Sequence, residues 1–279
     1  MDDVGIEYQT VLGYPPVEFV HLAADLGCHA ISMKARTGSH SPYNPYGHGE
    51  FSFLDDPGLR RRMTAALKDR GVSISLAEGF VVVPGADLAD DLASLDVMWE
   101  LGASRANAVT MDPDLNRSID QFAAFAELAA QRGMETTMEF AKSLTLSDLD
   151  TALSAVRQVG RPDFRLLIDT MHVARSGSTA ADLAAVDPRF IGYVQLSDST
   201  LRQRGAAYRD DSSDRAVPGQ GELPLVGLLL ALPAGLPVGV EAPMRSRAEQ
   251  GLAVQDCARL AVAGARAVLA EVSAARAAS

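Results

Sequence analysis

The chain has 279 residues, of which 47% are hydrophobic and 22% charged, enough to bury a sizeable core and unlike a disordered or fibrous composition. A formal charge of -11 and a pI of about 4.9 repel phosphate backbones and anionic membrane surfaces, so neither nucleic acid nor membrane is an expected partner. Cys28 and Cys257 stand far apart without a CxxC pair, no apolar run approaches about 18 residues, and the acidic start MDDVGIEY lacks signal-peptide character, so a cytoplasmic location is expected.

Short segments of strand character alternate with helical patterns along the whole chain. Strands are expected near Val4, His29, Val72, Arg105, Met134, Phe164, Ile191 and Pro237. Between them the spacing predicts helices over Pro16 to Gly27, Pro57 to Gly71, Asp87 to Gly102, Ser118 to Gly133, Ser147 to Gly160, Thr179 to Asp187 and Glu222 to Leu232, with a long closing helix from Arg247. Five of these stop at a glycine, the residue that enters the left-handed conformation without a Cβ penalty. Eight strand-helix pairs with no Ser/Gly/Pro-rich linker give a single α/β domain over residues 1-279, a (β/α)8 TIM barrel; a doubly wound open sheet is the alternative.

In such a barrel, chemistry sits where the strands end. Glu139 closes strand five, Asp169 strand six and Glu241 strand eight, while strand seven carries Gln195 and Asp198. Taken singly, each acid could be a helix N-cap or half of an ion pair. On neighbouring strand ends they would repel one another unless a cation sat among them, which points to a metal site. In RLLIDTMHVARSG, Asp169 follows a buried apolar run and His172 comes one helical turn later. Lys34 and Glu78 close strands two and three, so either could face the same mouth or serve as a salt-bridge partner. His21 and Trp99 fall on helices, Trp99 as a packing residue.

Two loops exceed what a barrel needs. The loop from Ala35 carries His40, Tyr43, Tyr46, His48 and Phe51, an aromatic content that favours a lid. The loop from Ser199 carries Arg202, Arg204, Arg209 and Arg215. Most of these arginines are expected to pair with Asp210, Asp211 and Asp214; Arg215, beside the PGQG turn, is the one expected to grip substrate. GxGxxG, GxxxxGK[ST], GxSxG and HExxH are absent, so no dinucleotide, P-loop, nucleophile-elbow or zincin site is indicated.

The segments TMEFA, IDTMH, YVQLSD, RAVPGQGELPL and VGVEAP together resemble the xylose-isomerase-like sugar phosphate isomerase/epimerase superfamily over the C-terminal half of the chain. The resemblance implies a divalent metal on Glu139, Asp169, Gln195 and Glu241, with His172 touching a substrate oxygen. Many members have histidine where this chain has Gln195, and some dehydroshikimate-dehydratase-like members have glutamine. An all-oxygen set favours Mg²⁺ or Mn²⁺ over zinc. The implied chemistry is proton abstraction next to a carbonyl through an enediolate, with Glu139 and Glu241 as base and acid. Reprotonation gives an isomerase or epimerase of a sugar or keto-sugar, and loss of a β-hydroxyl gives a dehydratase (lyase). A non-catalytic binding subunit is the third reading. The expected partner is a small polyhydroxylated molecule, and association into a homo-oligomer is left open.

Overall fold

A computed structural model describes residues 4–37 and 44–278. Eight parallel strands close into one barrel in sequence order: β1 (Gly5–Ile6), β2 (Ala30–Lys34), β3 (Ser73–Val82), β4 (Arg105–Thr110), β5 (Glu135–Glu139), β6 (Phe164–Asp169), β7 (Ile191–Leu196) and β8 (Val238–Val240). Around them run α1 (Pro16–Asp25), α2 (Pro57–Arg70), α3 (Leu92–Glu100), α4 (Leu115–Ala130), α5 (Leu149–Val159), α6 (Thr170–Ser176), α7 (Ala180–Ala184), α8 (Tyr208–Ser212), α9 (Leu225–Leu230), α10 (Arg245–Glu249) and α11 (Val254–Ala277). The open-sheet alternative falls because β1 pairs with both β2 and β8.

Local chemistry explains the element ends. Asp56, Asp114 and Asp148 accept backbone N–H bonds at the starts of α2, α4 and α5, filling donors that the first helical turn leaves open. Gly71 and Gly160 take positive φ at the stops of α2 and α5, as the glycine pattern predicts. Among the boundaries that differ from expectation, three bear on the site or the closing helix. The closing helix is split into α10 and α11 around Gly251, at φ 92°. The stretch after β6 folds into its own short helix, α6, because Asp169 caps it. β3 does not end at Glu78 but runs on to Val82, with its register against β4 shifting between Ala77 and Phe80 around Gly79, at φ 101°. Such an irregularity re-aims side chains, and it falls on Glu78. Trp99 is 49% exposed, so it is a surface residue and not the packing residue expected. No helix among the described residues is long and apolar enough to cross a membrane.

Candidate metal and substrate site

Strand register gathers the acids at one end of the barrel. Asp169 pairs with Gln195, and Gln195 with Gly239, so these positions share one level; Lys34 pairs with Glu78 on the adjacent strands β2 and β3. Asp169 is fully buried, and each of its oxygens accepts two hydrogen bonds in the absence of a cation. Its Oδ1 accepts the N–H groups of Met171 (2.8 Å) and His172 (3.1 Å), and its Oδ2 accepts Ser197 Oγ (2.9 Å) and Arg215 Nη1 (2.5 Å). The helix-cap reading of Asp169 therefore holds. Arg215 also reaches Glu241 Oε2 through Nη2 at 2.8 Å. Its guanidinium thus bridges two buried carboxylates, and Arg215 also lines the chamber above them.

Glu139, Asp169 and His172 each offer a donor atom, and these atoms lie within 4.8 Å of one another. His172 Nε2 is 3.3 Å from Glu139 Oε1, and its Nδ1 is 2.7 Å from Tyr208 Oη. Burial lowers the imidazole to about 4, so the ring is neutral at pH 7, and a Tyr208 hydroxyl donating to Nδ1 would leave Nε2–H to face Glu139. Glu139 also accepts Asn107 Nδ2 at 3.3 Å. Gln195 pairs with Asp169 in the sheet and makes its side-chain hydrogen bond elsewhere. Its Nε2 donates to Glu78 Oε1 at 3.1 Å, and its buried Oε1 has no hydrogen-bond partner among the described residues.

The strand-one acid in VGIEY was not singled out from sequence, yet Glu7 is fully buried in the barrel. Its Oε1 accepts Tyr193 Oη at 2.8 Å, while Oε2 has no partner among the described residues. Gly239 makes room for it, since a Cβ there would lie 1.5 Å from Glu7 Oε1. The signal was available: Glu7 follows strand one as Glu139 and Asp169 end theirs.

Electrostatics sum up the site. Glu7, Glu78, Glu139, Asp169 and Glu241 converge against two cations, Arg215 and Lys34. Burial, with the Glu78 charge, pushes Glu7 up to about 8; burial, with the Asp169 and Glu78 charges, does the same to Glu139. Burial also raises Glu78 and Glu241, the latter against the pull of Arg215. Asp169 goes the other way: burial opposes its charge, but Arg215 and His172 hold it below the usual carboxylate range. This excess of acid over base, with an unpartnered amide oxygen beside it, fits a divalent cation.

Above these groups opens a chamber of about 210 Å³ lined by Gln9, Lys34, Glu78, Asn107, Glu139, His172, Arg215 and Glu241 among others. Asp198 does not belong to the acid ring. Its carboxylate accepts the N–H groups of Ser199, Gly219, Gly221 and Leu223 and so organises the PGQG turn, where a Cβ on Gly221 would sit 2.1 Å from Asp198 Oδ1. Nor do the loop arginines pair as expected: Asp211 pairs with Arg175 of α6 at 2.7 Å, and Arg204 Nη2 donates to the carbonyl of Asp214. In the loop before α2, Asn44, His48 and Glu50 wall a second cavity, while His40 and Tyr43 lie outside the described residues.

The xylose isomerase-like TIM barrel pattern matches residues 20–261. The chain belongs to that family. Among solved structures, it is similar to the IOLI protein with a bound zinc atom (TM-score 0.78, 17% identity, 97% of this chain and 99% of that one). It also resembles a D-psicose 3-epimerase with D-tagatose from Clostridium cellulolyticum H10 (0.66, 15%, 97% and 98%). A third is a probable 3-DHS dehydratase from Bacillus anthracis (0.68, 13%, 93% and 97%). At these identities the likeness is one of fold. No protein among the curated sequences matches the chain.

Proposed function

We propose that the protein is a divalent-metal-dependent isomerase or epimerase of a sugar or keto-sugar. The observation that carries this reading is the convergence of Glu139, Asp169 and Glu241 with too few cations to balance them, under a chamber of monosaccharide scale. Glu139, Asp169, Glu241 and the unpartnered Oε1 of Gln195 would hold the cation, with His172 the nitrogen within reach. The oxygen-rich donors favour Mg²⁺ or Mn²⁺. When bound, such a cation stabilises the negative charge that gathers on a carbonyl oxygen as the adjacent C–H proton leaves.

The chain's own groups supply the rest. In its ionised form Glu139, whose basicity burial and like charge raise, is the carboxylate that takes the proton. Glu241, held by Arg215, returns one from the other side. Neutral His172, fixed by Tyr208, donates to a substrate hydroxyl or carbonyl oxygen, and Lys34 and Glu78 bind hydroxyls at the chamber wall. Arg215 positions Asp169 and Glu241. Glutamine at position 195 also supports a second reading, a dehydratase that expels a β-hydroxyl after the same proton abstraction; growth of ultraviolet absorbance from a conjugated product would distinguish it.

Calorimetric titration of the chelator-treated protein with Mn²⁺ tests the metal reading. One saturable site, weakened at least tenfold in Glu241→Gln by loss of a charged ligand, is expected. The absence of a saturable site, or one indifferent to Glu241→Gln, refutes it.

A further inference from the structure

The loop between β7 and α9 carries Tyr208, whose hydroxyl lies 2.7 Å from His172 Nδ1, yet the helix that presents it, α8, has only five residues. A helix so short does not hold itself together in water, so its place is set by what it is tied to. Asp211 of α8 and Arg175 of α6 form an ion pair at 2.7 Å with both side chains 3% exposed. His172 and Arg175 stand three residues apart on α6, and Tyr208 and Asp211 three apart on α8, so each helix turns one face to the other and the two contacts lie one turn apart. Arg175 gathers the rest of the loop as well. Its Nε donates to the Thr200 carbonyl at 2.8 Å and its Nη2 to Ser199 Oγ at 3.2 Å, while Asp211 accepts the N–H groups of Arg204 (2.9 Å) and Gly205 (2.7 Å). Burial opposes the Asp211 charge, but these N–H groups and the guanidinium outweigh it and hold the carboxyl below its usual range, so the pair is ionic at neutral pH.

Neither Arg175 nor Asp211 lines the inner chamber. Stability alone does not call for such a pair, because apolar side chains of similar volume serve as well; what buried charges fix is one arrangement of the elements that carry them. We propose that Arg175 and Asp211 are a positioning pair for catalysis, locking α8 against α6 so that the Tyr208 hydroxyl occupies His172 Nδ1 and holds the imidazole where its Nε2 meets the substrate oxygen. The proposal rests on the role of His172 given above. Ser212, on the same short helix, lines the inner chamber, and its carbonyl accepts Arg215 Nε at 3.2 Å, so a displaced α8 has a second route to the site that the experiment must separate from the first.

Arg175→Met combined with Asp211→Asn removes both charges at once and leaves no unpaired ion in the interior. Its effect is compared with that of Tyr208→Phe, which removes only the hydroxyl, and with that of all three substitutions together. In the metal-free full chain with ¹⁵N-labelled histidine rings, the His172 Nδ1 resonance reports the hydrogen bond without any need for activity, and Tyr208→Phe marks its position when the bond is broken. The charge-pair variant should move the resonance most of the way to that position. Arg175→Lys, a milder change that keeps the charge but not the fork, should move it part of the way and carries the test if the double variant folds poorly. In Mn²⁺-loaded protein, kcat for solvent deuterium incorporation should fall about tenfold in Tyr208→Phe and in the charge-pair variant, the worth of one net hydrogen bond, with KM changed less than about twofold. All three substitutions together should cost no more than either alone, since both act through one contact. A resonance that stays at the wild-type position in the Arg175 and Asp211 variants overturns the proposal. So does a loss of kcat that multiplies on combination, which routes the pair through Arg215 instead. Absence of exchange in every protein, wild type included, overturns the inner-chamber reading, and the resonance then decides by itself whether the pair holds Tyr208 on His172.

Discussion

Replacing Arg215 with methionine removes the guanidinium from beneath the site and keeps most of the side-chain volume. Asp169 Oδ2, Ser197 Oγ and Glu241 Oε2 then lose their shared donor in a region where Arg215 and Asp169 are almost wholly inaccessible. Stripping one partner from a buried ion pair leaves an uncompensated charge, at a cost of about 3–5 kcal/mol. For a chain of this size that corresponds to a fall in Tm of roughly 6–20 °C. The pH dependence has a definite sign. The folded-state pKa of Asp169 lies below its ordinary value of 3.8, so its stabilising contribution is complete above that value and is lost as the pH falls through the folded one. Wild type should therefore keep this contribution throughout pH 4–8, and the gap to Arg215→Met should be widest at pH 7 and narrow toward pH 4 because the carboxylates left buried without a counter-charge in the variant take up protons there. Arg215→Lys, which keeps the charge but not the fork, should fall between the two. Thermal unfolding of the metal-free proteins across pH 4–8 measures this. A Met variant within about 2 °C of wild type at pH 7, or a gap that widens on acidification, would refute the argument.

The remaining expectations concern neighbouring residues. Because the Nε2 end of Gln195 is pinned by Glu78 and its Oε1 is left open, Glu78→Leu should weaken Mn²⁺ binding while Glu78→Gln retains most of it. Equal affinities in wild type and Glu78→Leu, read by calorimetry, would remove Gln195 from the ligand set. Gln195→His should move the metal preference toward Co²⁺ or Zn²⁺, and Gln195→Leu should weaken all divalent cations; an unchanged ranking together with full affinity of the Leu variant would leave His172 as the ligand to test. Gly239→Ala should destabilise by about 1–3 kcal/mol, since its Cβ collides with the buried Glu7 carboxylate, and denaturant unfolding within experimental error of wild type would show that Glu7 moves aside freely.

The barrel was legible because the alternation of strands and helices is a local pattern, marked by glycine stops such as Gly71 and Gly160. Strand-end acids were legible for the same reason: Asp169 and Glu241 each follow an apolar run, and Glu139 closes the strand written ETTME. What sequence could not supply was their partners. Arg215 looks like a loop arginine until the turn built on Asp198 folds it back under Asp169, a contact between residues 46 positions apart. Asp198 itself looks like a fourth member of the ring, and only the N–H groups aimed at it show that it serves a turn. Glu7 escaped notice because its importance depends on a glycine more than two hundred residues away. The end of β3 was misplaced because the shift around Gly79 carries pairing past Glu78.

The central claim, that these acids remove a proton from carbon beside a carbonyl with the help of a divalent cation, is tested most directly by following solvent deuterium into keto-sugars by NMR. Mn²⁺-loaded protein should place deuterium next to the carbonyl in recovered substrate and in its isomer or epimer. The label should disappear when metal is stripped with chelator, return when Mn²⁺ is restored, and fall by at least about a hundredfold in Glu139→Gln, which cannot act as a base. Incorporation that persists at full rate in the stripped protein or in Glu139→Gln, or no incorporation across a panel of keto-pentoses and keto-hexoses and their glycosides, would contradict it.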